Sequence, residues 1–251
     1  MIRRIAIALV LLVATLGAAA QQYTGMSGLI HVPDADMDSA GDARIGMHYL
    51  DRHMLPDRSF VFQGKPYNTI DAYLSITPFS WVEVGFTMTF FRKLMYNGHE
   101  SHWKNDRYFS VKFQPLREKK GKWWPSIAVG SNDFVSSGLT VHTNPESGNN
   151  YFRNFYVAAT KHFEPRGHDI GVTLAYRYYT QNYARKWNGV VGAVTYRPRF
   201  FRPLRGILEY AGGGQVNFGV DCLLWKHLLI QASLQRFKYF SGGVCYVVNL
   251  F

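Results

Sequence analysis

The residues His99-Glu100-Ser101-His102 have the types and spacing that could support ester hydrolysis. On an extended chain His99 and Ser101, two positions apart, project to one face, where the imidazole could activate the hydroxyl. No oxyanion-stabilising donors can be identified around this pair. Polar neighbours such as Asn97 and Lys104 are typical of a solvated loop. The sequence therefore favours a polar loop with incidental histidines, and we assign no catalytic residue.

Metal and phosphate sites have weaker support. His99 and His102 could come together on a helix, but no third ligand is apparent and Glu100 is unconstrained. The run 212–214 is three glycines, yet a strand-like segment follows it instead of a helix, so we predict a hairpin turn and no phosphate cradle. We expect no metal and no other cofactor.

The N-terminus has the three parts of a secretory signal peptide. Two arginines near Met1 precede an apolar stretch from Ile5 to Leu16, and four small residues (17–20) precede Gln21. The apolar stretch is short for a transmembrane anchor. We expect cleavage after Ala20 and, because no cysteine lies nearby, no lipid anchor.

The charge and the cysteines restrict the function further. The formal net charge is +11, and the two leader arginines account for 2 of it, which leaves 11 − 2 = +9 on the exported chain. No Lys/Arg run interleaved with aromatics indicates nucleic-acid binding. The positive charge would suit lipopolysaccharide phosphates or an anionic polysaccharide. Cys222 and Cys245 fall on predicted strands that are two apart, so we expect isolated thiols.

The rest of the chain alternates apolar and polar residues with the period of a β-strand. After the leader, no apolar run approaches the roughly 18 residues of a membrane helix. In the segment 81–91, Val82, Val84 and Phe86 oppose Glu83 and Gly85. Strands of about 10 residues with lipid-facing and lumen-facing sides are typical of transmembrane barrels.

The pattern predicts an all-β, transmembrane antiparallel β-barrel of about twelve strands. The predicted strands are 43–51, 68–77, 81–91, 106–115, 125–134, 151–163, 168–178, 189–197, 205–211, 215–224, 227–237 and 240–251. The predicted organisation is a signal peptide (1–20), a periplasmic N-terminal segment (21–42) and the barrel (43–251). Tight turns at 77–80 and 164–167 contrast with the long polar segments 52–67, 92–105 and 135–150, so we expect periplasmic termini.

A secreted β-sandwich is the alternative fold, because its strands alternate equally well. Aromatic residues near the predicted strand ends favour the barrel, where such rings sit at the lipid headgroups: Trp81, Trp123, Trp124, Tyr178, Tyr179, Trp187, Tyr196, Trp225 and Tyr239. The terminal Phe251 also favours it, because barrel-assembly machinery reads a C-terminal aromatic strand. The alternation leaves the faces of this last strand unassigned.

The segment from Gly25 to Asp36 precedes the first strand. Its glycines and Pro33 predict an irregular segment, such as a plug or lid at the periplasmic mouth. Its pattern G-x-x-G-L-I-x-x-P-x-A resembles the opening of YjbH-like outer-membrane proteins. The resemblance implies a β-barrel linked to the export or assembly of exopolysaccharide.

Charged residues on the polar sides of the predicted strands form a lumen-facing set: Arg44, Asp71, Glu83, Lys112, Arg177, Glu209 and Asp221. In a narrow barrel such groups must pair or remain hydrated. Because twelve strands enclose less space than a sixteen-stranded porin, we expect an internal salt-bridge network in a plugged or narrow lumen.

The sequence thus predicts a non-enzymatic barrel in the outer membrane of a Gram-negative bacterium, which acts in exopolysaccharide export, assembly or surface display. One alternative is a lipopolysaccharide or phospholipid deacylase that uses His99 and Ser101, and another is a narrow passive channel. The expected partners are outer-membrane lipids and lipopolysaccharide, the barrel-assembly machinery and polysaccharide-export proteins. Nucleic acid is not expected.

Overall fold

A computed structural model describes residues 21–55, 61–62, 65–94, 100–136 and 150–251, with the side chains of 61–62, 91–94 and 100–105 left out. The predicted signal peptide (1–20) lies outside the described residues. The strands are β1 Asp42–Leu50, β2 Val61–Phe62, β3 Lys65–Pro66, β4 Thr69–Phe79, β5 Val82–Leu94, β6 Glu100–Leu116, β7 Ser126–Ser136, β8 Asn154–Phe163, β9 Asp169–Tyr179, β10 Gly189–Arg197, β11 Leu204–Tyr210, β12 Val216–Leu224, β13 Leu228–Gln235 and β14 Tyr239–Asn249.

Twelve of these strands form one closed antiparallel barrel. β1 pairs with β14 on one side and with β4 on the other, while β2 and β3 form a separate hairpin. The predicted all-β barrel of about twelve strands is confirmed. Three short 3-10 helices cover Arg52–Met54, Pro165–Gly167 and Asn182–Trp187. In the described part of the chain, no helix is long and apolar enough to cross a membrane.

The barrel wall is apolar outside and polar inside. On β1, the side chains of Ile45 and Met47 are 61% and 49% exposed, whereas Arg44 and His48 are buried. Successive strand residues point to opposite faces, so this order repeats around the wall. A soluble sandwich would bury its apolar face instead, so the distribution is that of a barrel surrounded by lipid.

The two ends of the barrel are distinguished by the turns that lie there. The end where β1 begins and β14 finishes, with the turns 80–81, 117–125, 164–168, 198–203 and 225–227, is called the terminal rim below. The opposite end is called the loop rim. At the loop rim the triple glycine forms a tight turn between β11 and β12, where all three glycines have positive φ.

The prediction of a polar loop over 92–105 is wrong for most of that range. β5 continues to Leu94 and β6 begins at Glu100, and the two strands stay paired there, with Lys93 opposite Ser101. Backbone hydrogen bonds hold a strand pair together without apolar side chains, so the alternation fades where the strands still continue. Ser101 therefore lies in a strand, with its side chain outside the described set. His99 lies outside the described residues.

Some predicted interface aromatics face the lumen. Trp81, Tyr196 and Trp225 are exposed on the outer face or rim, but Tyr179 and Trp187 are buried inside the barrel. Closeness to a strand end does not decide the face, because neighbouring strand residues point in opposite directions. The lumen is therefore more aromatic than the sequence indicated.

The last strand, β14, stays paired with β1 as far as Asn249, which lies opposite Asp42. Val244 and Tyr246 are exposed on the outer face while Cys245 is buried inside, which assigns the faces of β14. Asn249 Nδ2 donates to Asp42 Oδ1 at 2.8 Å. Cys222 and Cys245 are free thiols on β12 and β14, separated by β13, as expected.

Candidate functional site: the plugged lumen

Residues 21–41, called the plug segment below, lie inside the barrel except for Ser39 and Ala40, which are exposed. The segment joins the barrel wall at Gly41, whose N–H donates to Thr77 O at the terminal rim. It then reaches toward the loop rim, where the Tyr23 and Tyr179 hydroxyls are 2.9 Å apart. Tyr23, Val32 and most of the segment are buried. The sequence placed a plug or lid at the mouth, and the structure places the segment in the lumen.

Glu209 on β11 binds three consecutive backbone N–H groups of the plug segment. Its carboxylate accepts from Ile30 at 3.2 Å, from His31 at 2.9 Å and from Val32 at 3.1 Å. Asn217 Nδ2 also donates to it, at 2.9 Å. Hydrogen bonds to a carboxylate are strong. Together with the bond from the Leu29 N–H to Val32 O, they pair the backbone N–H groups of residues 29–32. This carboxylate accounts for the local conformation of the Leu-Ile-His-Val run.

Lys112 and Glu83, which are opposite each other on β6 and β5, hold the next part of the plug segment. Lys112 Nζ donates to Asp34 Oδ1 at 3.0 Å and to Ser27 Oγ at 3.0 Å. Glu83 accepts from the backbone N–H of Ser27 at 2.8 Å and also from its hydroxyl. Ser27 thus lies between a cation and an anion of the wall, and both charges gain buried partners.

Three aspartates at spacing two meet three basic residues of the wall. Asp34 binds Lys112 as described, and the other pairs are Asp36 with His162 Nε2 at 3.1 Å and Asp38 with Arg44 at 2.6 Å. We call these three pairs the aspartate latch. The alternation of the strands did not predict these pairs, although the run Asp-Ala-Asp-Met-Asp is visible at 34–38.

The acidity of Asp36 reflects its partner. Burial alone would raise the pKa of this carboxyl, but the hydrogen bond and the charge of His162 outweigh burial and lower it. The other ring nitrogen of His162, Nδ1, lies 2.8 Å from Asp169 Oδ1. The imidazole therefore bridges a carboxylate of the plug segment and one of the wall.

The seven predicted lumen-facing charges are all buried in the structure. Arg44, Glu83, Lys112, Arg177 and Glu209 each contact the plug segment. The other two pair within the wall, Asp71 with His48 at 3.0 Å and Asp221 with Arg205 at 2.9 Å. The sequence predicted a salt-bridge network among wall residues, whereas the plug segment supplies most of the partners.

The side chain of His31 is fully buried in the plug segment. Its ring lies 4.5 Å from that of Tyr23 and 5.6 Å from that of Trp187, and its carbonyl accepts from Arg177. Neither ring nitrogen has a hydrogen-bond partner among the described residues. Burial, followed by the charge of Arg177, lowers the pKa of His31 to about 3. The ring is therefore neutral and contributes aromatic packing.

Gly25 allows the plug segment to approach the wall closely. Its φ is +79°, and a Cβ atom there would lie 2.5 Å from Thr87 Oγ1 and 2.7 Å from Tyr73 Cβ. Glycine adopts positive φ without a Cβ clash. The first glycine of the sequence pattern is therefore required by packing inside the barrel.

The described residues include no group of three or more His, Cys, Asp or Glu side chains arranged to hold a metal ion. The arrangement that the structure does show is one in which a wall of charges binds a polar segment of the same chain. Its chemistry is that of hydrogen bonding and ion pairing.

The sequence matches the family model YjbH, "Exopolysaccharide biosynthesis protein YbjH", over residues 20–219. The chain belongs to the YjbH family. The matched part of this YjbH chain includes the plug segment and the strands up to β11. No curated protein matches it.

Solved structures similar to this YjbH chain include outer-membrane phospholipase A from Escherichia coli. The two sequences are 10% identical, the match covers 86% of this chain and 95% of the phospholipase chain, and the TM-score is 0.38. A triple mutant of the Rhodopseudomonas blastica porin has 9% identity, coverage of 83% and 98%, and a TM-score of 0.32.

Proposed function

We propose that this YjbH-family chain is a non-enzymatic barrel of the Gram-negative outer membrane that serves export, assembly or surface display of an exopolysaccharide. The match to the family over residues 20–219 carries this proposal. The apolar outer face supports membrane insertion, and the leader-like N-terminus supports secretion.

The plug segment favours a closed barrel over a passive channel. Glu209, Lys112 and Arg44 hold it in the lumen from different sides of the wall. Charged groups that are buried and paired in this way are costly to separate. We infer that the plug segment closes the lumen of the resting barrel. We also propose the barrel-assembly machinery and polysaccharide-export proteins as its partners.

Deletion of the gene in its native host tests the function. Secreted and surface-bound exopolysaccharide should fall and should return when the wild-type chain is supplied. A variant with an exposed change, Glu164→Gln, should restore it equally well. Unchanged amount, length and surface attachment of the polysaccharide in the deletion strain would remove the proposal.

Membrane location is tested separately by fractionation and by gel mobility with and without heating. The purified chain should appear in outer-membrane fractions and should migrate differently once heat unfolds the barrel. Intact-mass measurement of the same sample should give a chain that begins at Gln21. Recovery in the soluble periplasmic fraction would contradict the location.

A further inference from the structure

Several turns of the terminal rim place exposed aromatic rings beside exposed cationic side chains. In the turn 117–125, Trp123 is 85% exposed and lies among exposed lysines. In the turn 198–203, Phe200 is 80% exposed and is flanked by Arg199 and Arg202. Aromatic rings at a membrane surface prefer the headgroup region, and cations there meet phosphates.

The turn 198–203 is rigid and is braced by its neighbour. Prolines at both ends restrict its backbone, and Phe201 N–H donates to Pro198 O at 3.2 Å. Arg202 Nη2 donates to Gly167 O at 3.3 Å. The Arg199 stem lies over the same glycine, since a Cβ atom on Gly167 would be 3.1 Å from Arg199 Cδ.

Tyr196 marks the height of these arginines on the barrel. Its ring is on the outer face and 44% exposed, and its hydroxyl lies 2.8 Å from His168 Nδ1 at the rim. The Arg199 N–H donates to the same nitrogen at 3.3 Å. A tyrosine with an apolar body toward lipid and a polar tip toward water lies at the headgroup boundary. The arginines follow directly on its aqueous side.

The arginine charges are not neutralised by the rim itself. Arg166 lies in the neighbouring turn, and the salt bridges of the described residues include none of Arg166, Arg199 and Arg202. The nearby Glu164 carboxylate is engaged by Lys120 at 2.6 Å. Three guanidinium groups are therefore available to an external anion.

We propose that Arg166, Arg199 and Arg202 bind the phosphodiester of an anionic phospholipid in the leaflet at the terminal rim, with the glycerol ends of its acyl chains, next to the headgroup, against Phe200 and Phe201. Guanidinium groups match phosphate oxygens in two-bond geometry. The two phenyl rings have no polar group and suit hydrocarbon better than a hydrated polysaccharide. This inference rests on the membrane placement in the proposed function, but it does not depend on the polysaccharide role.

The test measures how much phosphatidylglycerol and how much phosphatidylcholine the full chain retains. The chain is released from nanodiscs that contain both lipids, and the bound lipid is identified by native mass spectrometry. The wild-type chain should keep phosphatidylglycerol preferentially. The double variant Arg199→Gln with Arg202→Gln should raise the apparent Kd for phosphatidylglycerol by about tenfold. Arg52→Gln with Arg185→Gln, two exposed changes at the loop rim, should leave retention unchanged.

A second pair of variants separates position from charge. Gly167→Ala should displace Arg199 and reduce retention, whereas Gly121→Ala, at a similar φ of +77° with open space around it, should not. Equal retention of both lipids, or equal loss in the two arginine double variants, would overturn the proposal. Stronger binding of lipopolysaccharide, or displacement of the lipid by a soluble anionic polysaccharide, would also overturn it.

Heat-dependent gel mobility should show that each variant is folded. Exopolysaccharide secretion by strains carrying the arginine variants is a separate measurement. Loss of lipid selectivity with normal secretion would leave the proposed function intact, and a deletion strain with normal polysaccharide would leave the lipid site intact.

Discussion

The backbone N–H of His31 donates to the Glu209 carboxylate at 2.9 Å and so joins the plug segment to the far wall of the barrel. The two residues are 178 positions apart in the sequence. The carboxylate also receives the N–H groups of Ile30 and Val32. The wall and the plug segment therefore share one buried polar network, and changes in either should be felt by both.

Replacing Glu209 with glutamine should loosen the plug segment. The amide keeps the size of the side chain, but it lacks the charge, and its NH2 group donates where a carboxylate oxygen accepted, so N–H groups of the plug segment are left unpaired. The expected loss is about 1–3 kcal/mol in the free energy of unfolding, measured by denaturant titration in detergent micelles. Glu164→Gln, an exposed change at the terminal rim, should have little effect. Equal stability of the two variants would contradict the role of Glu209.

Gly25→Ala should displace the plug segment without preventing barrel closure, because the added carbon meets Thr87 and Tyr73. Planar-bilayer recordings should show ion conductance for this variant and little for the wild type. Gly121→Ala has nearly the same positive φ but nothing within 4 Å of the added carbon, so it controls for backbone strain. Conductance that is the same in both variants would count against a plug held by packing.

Lys112→Met should leave the Asp34 carboxylate buried without its cation. Breaking one partner of a buried ion pair costs about 3–5 kcal/mol. Adding Asp34→Asn to Lys112→Met should recover most of this loss, because the uncompensated charge is then removed. A double-mutant cycle on the free energy of unfolding measures the coupling. Additive effects of the two changes would show that the pair is not coupled.

The contribution of His31 to the free energy of unfolding should fall as pH falls from 6.5 toward 3. The folded pKa of His31, about 3, lies below its ordinary value of 6.5, so the unfolded chain binds the proton more readily in this window. Stability from the neutral ring is fully present above pH 6.5. Linkage gives a loss of about 2 kcal/mol at about pH 5.

His31→Phe isolates this dependence, because it keeps an aromatic ring and removes the titration. The difference in unfolding free energy between wild type and variant should change with pH across the window. A constant difference would show that His31 does not titrate on unfolding. Other buried acids contribute equally to both proteins and cancel in the comparison.

Most of the barrel could be predicted from local sequence, because period-two alternation depends only on neighbouring residues. The strand 68–77, for example, was found at Thr69–Phe79. The extensions of β5 and β6 were missed, since paired backbones there need no apolar side chains. The faces of Tyr179 and Trp187 were also missed, because their positions at strand ends suggested the membrane interface.

The sequence by itself determined the strand number, the apolar outer face and the lumen-facing phase of Arg44, Lys112 and Glu209, because each follows from alternation within a strand. Only the tertiary structure decided what those charges bind. The plug segment reaches across the lumen, where Ile30 binds Glu209, 179 positions away. Such contacts depend on barrel closure, which brings all twelve strands around one segment, and no local pattern encodes that geometry.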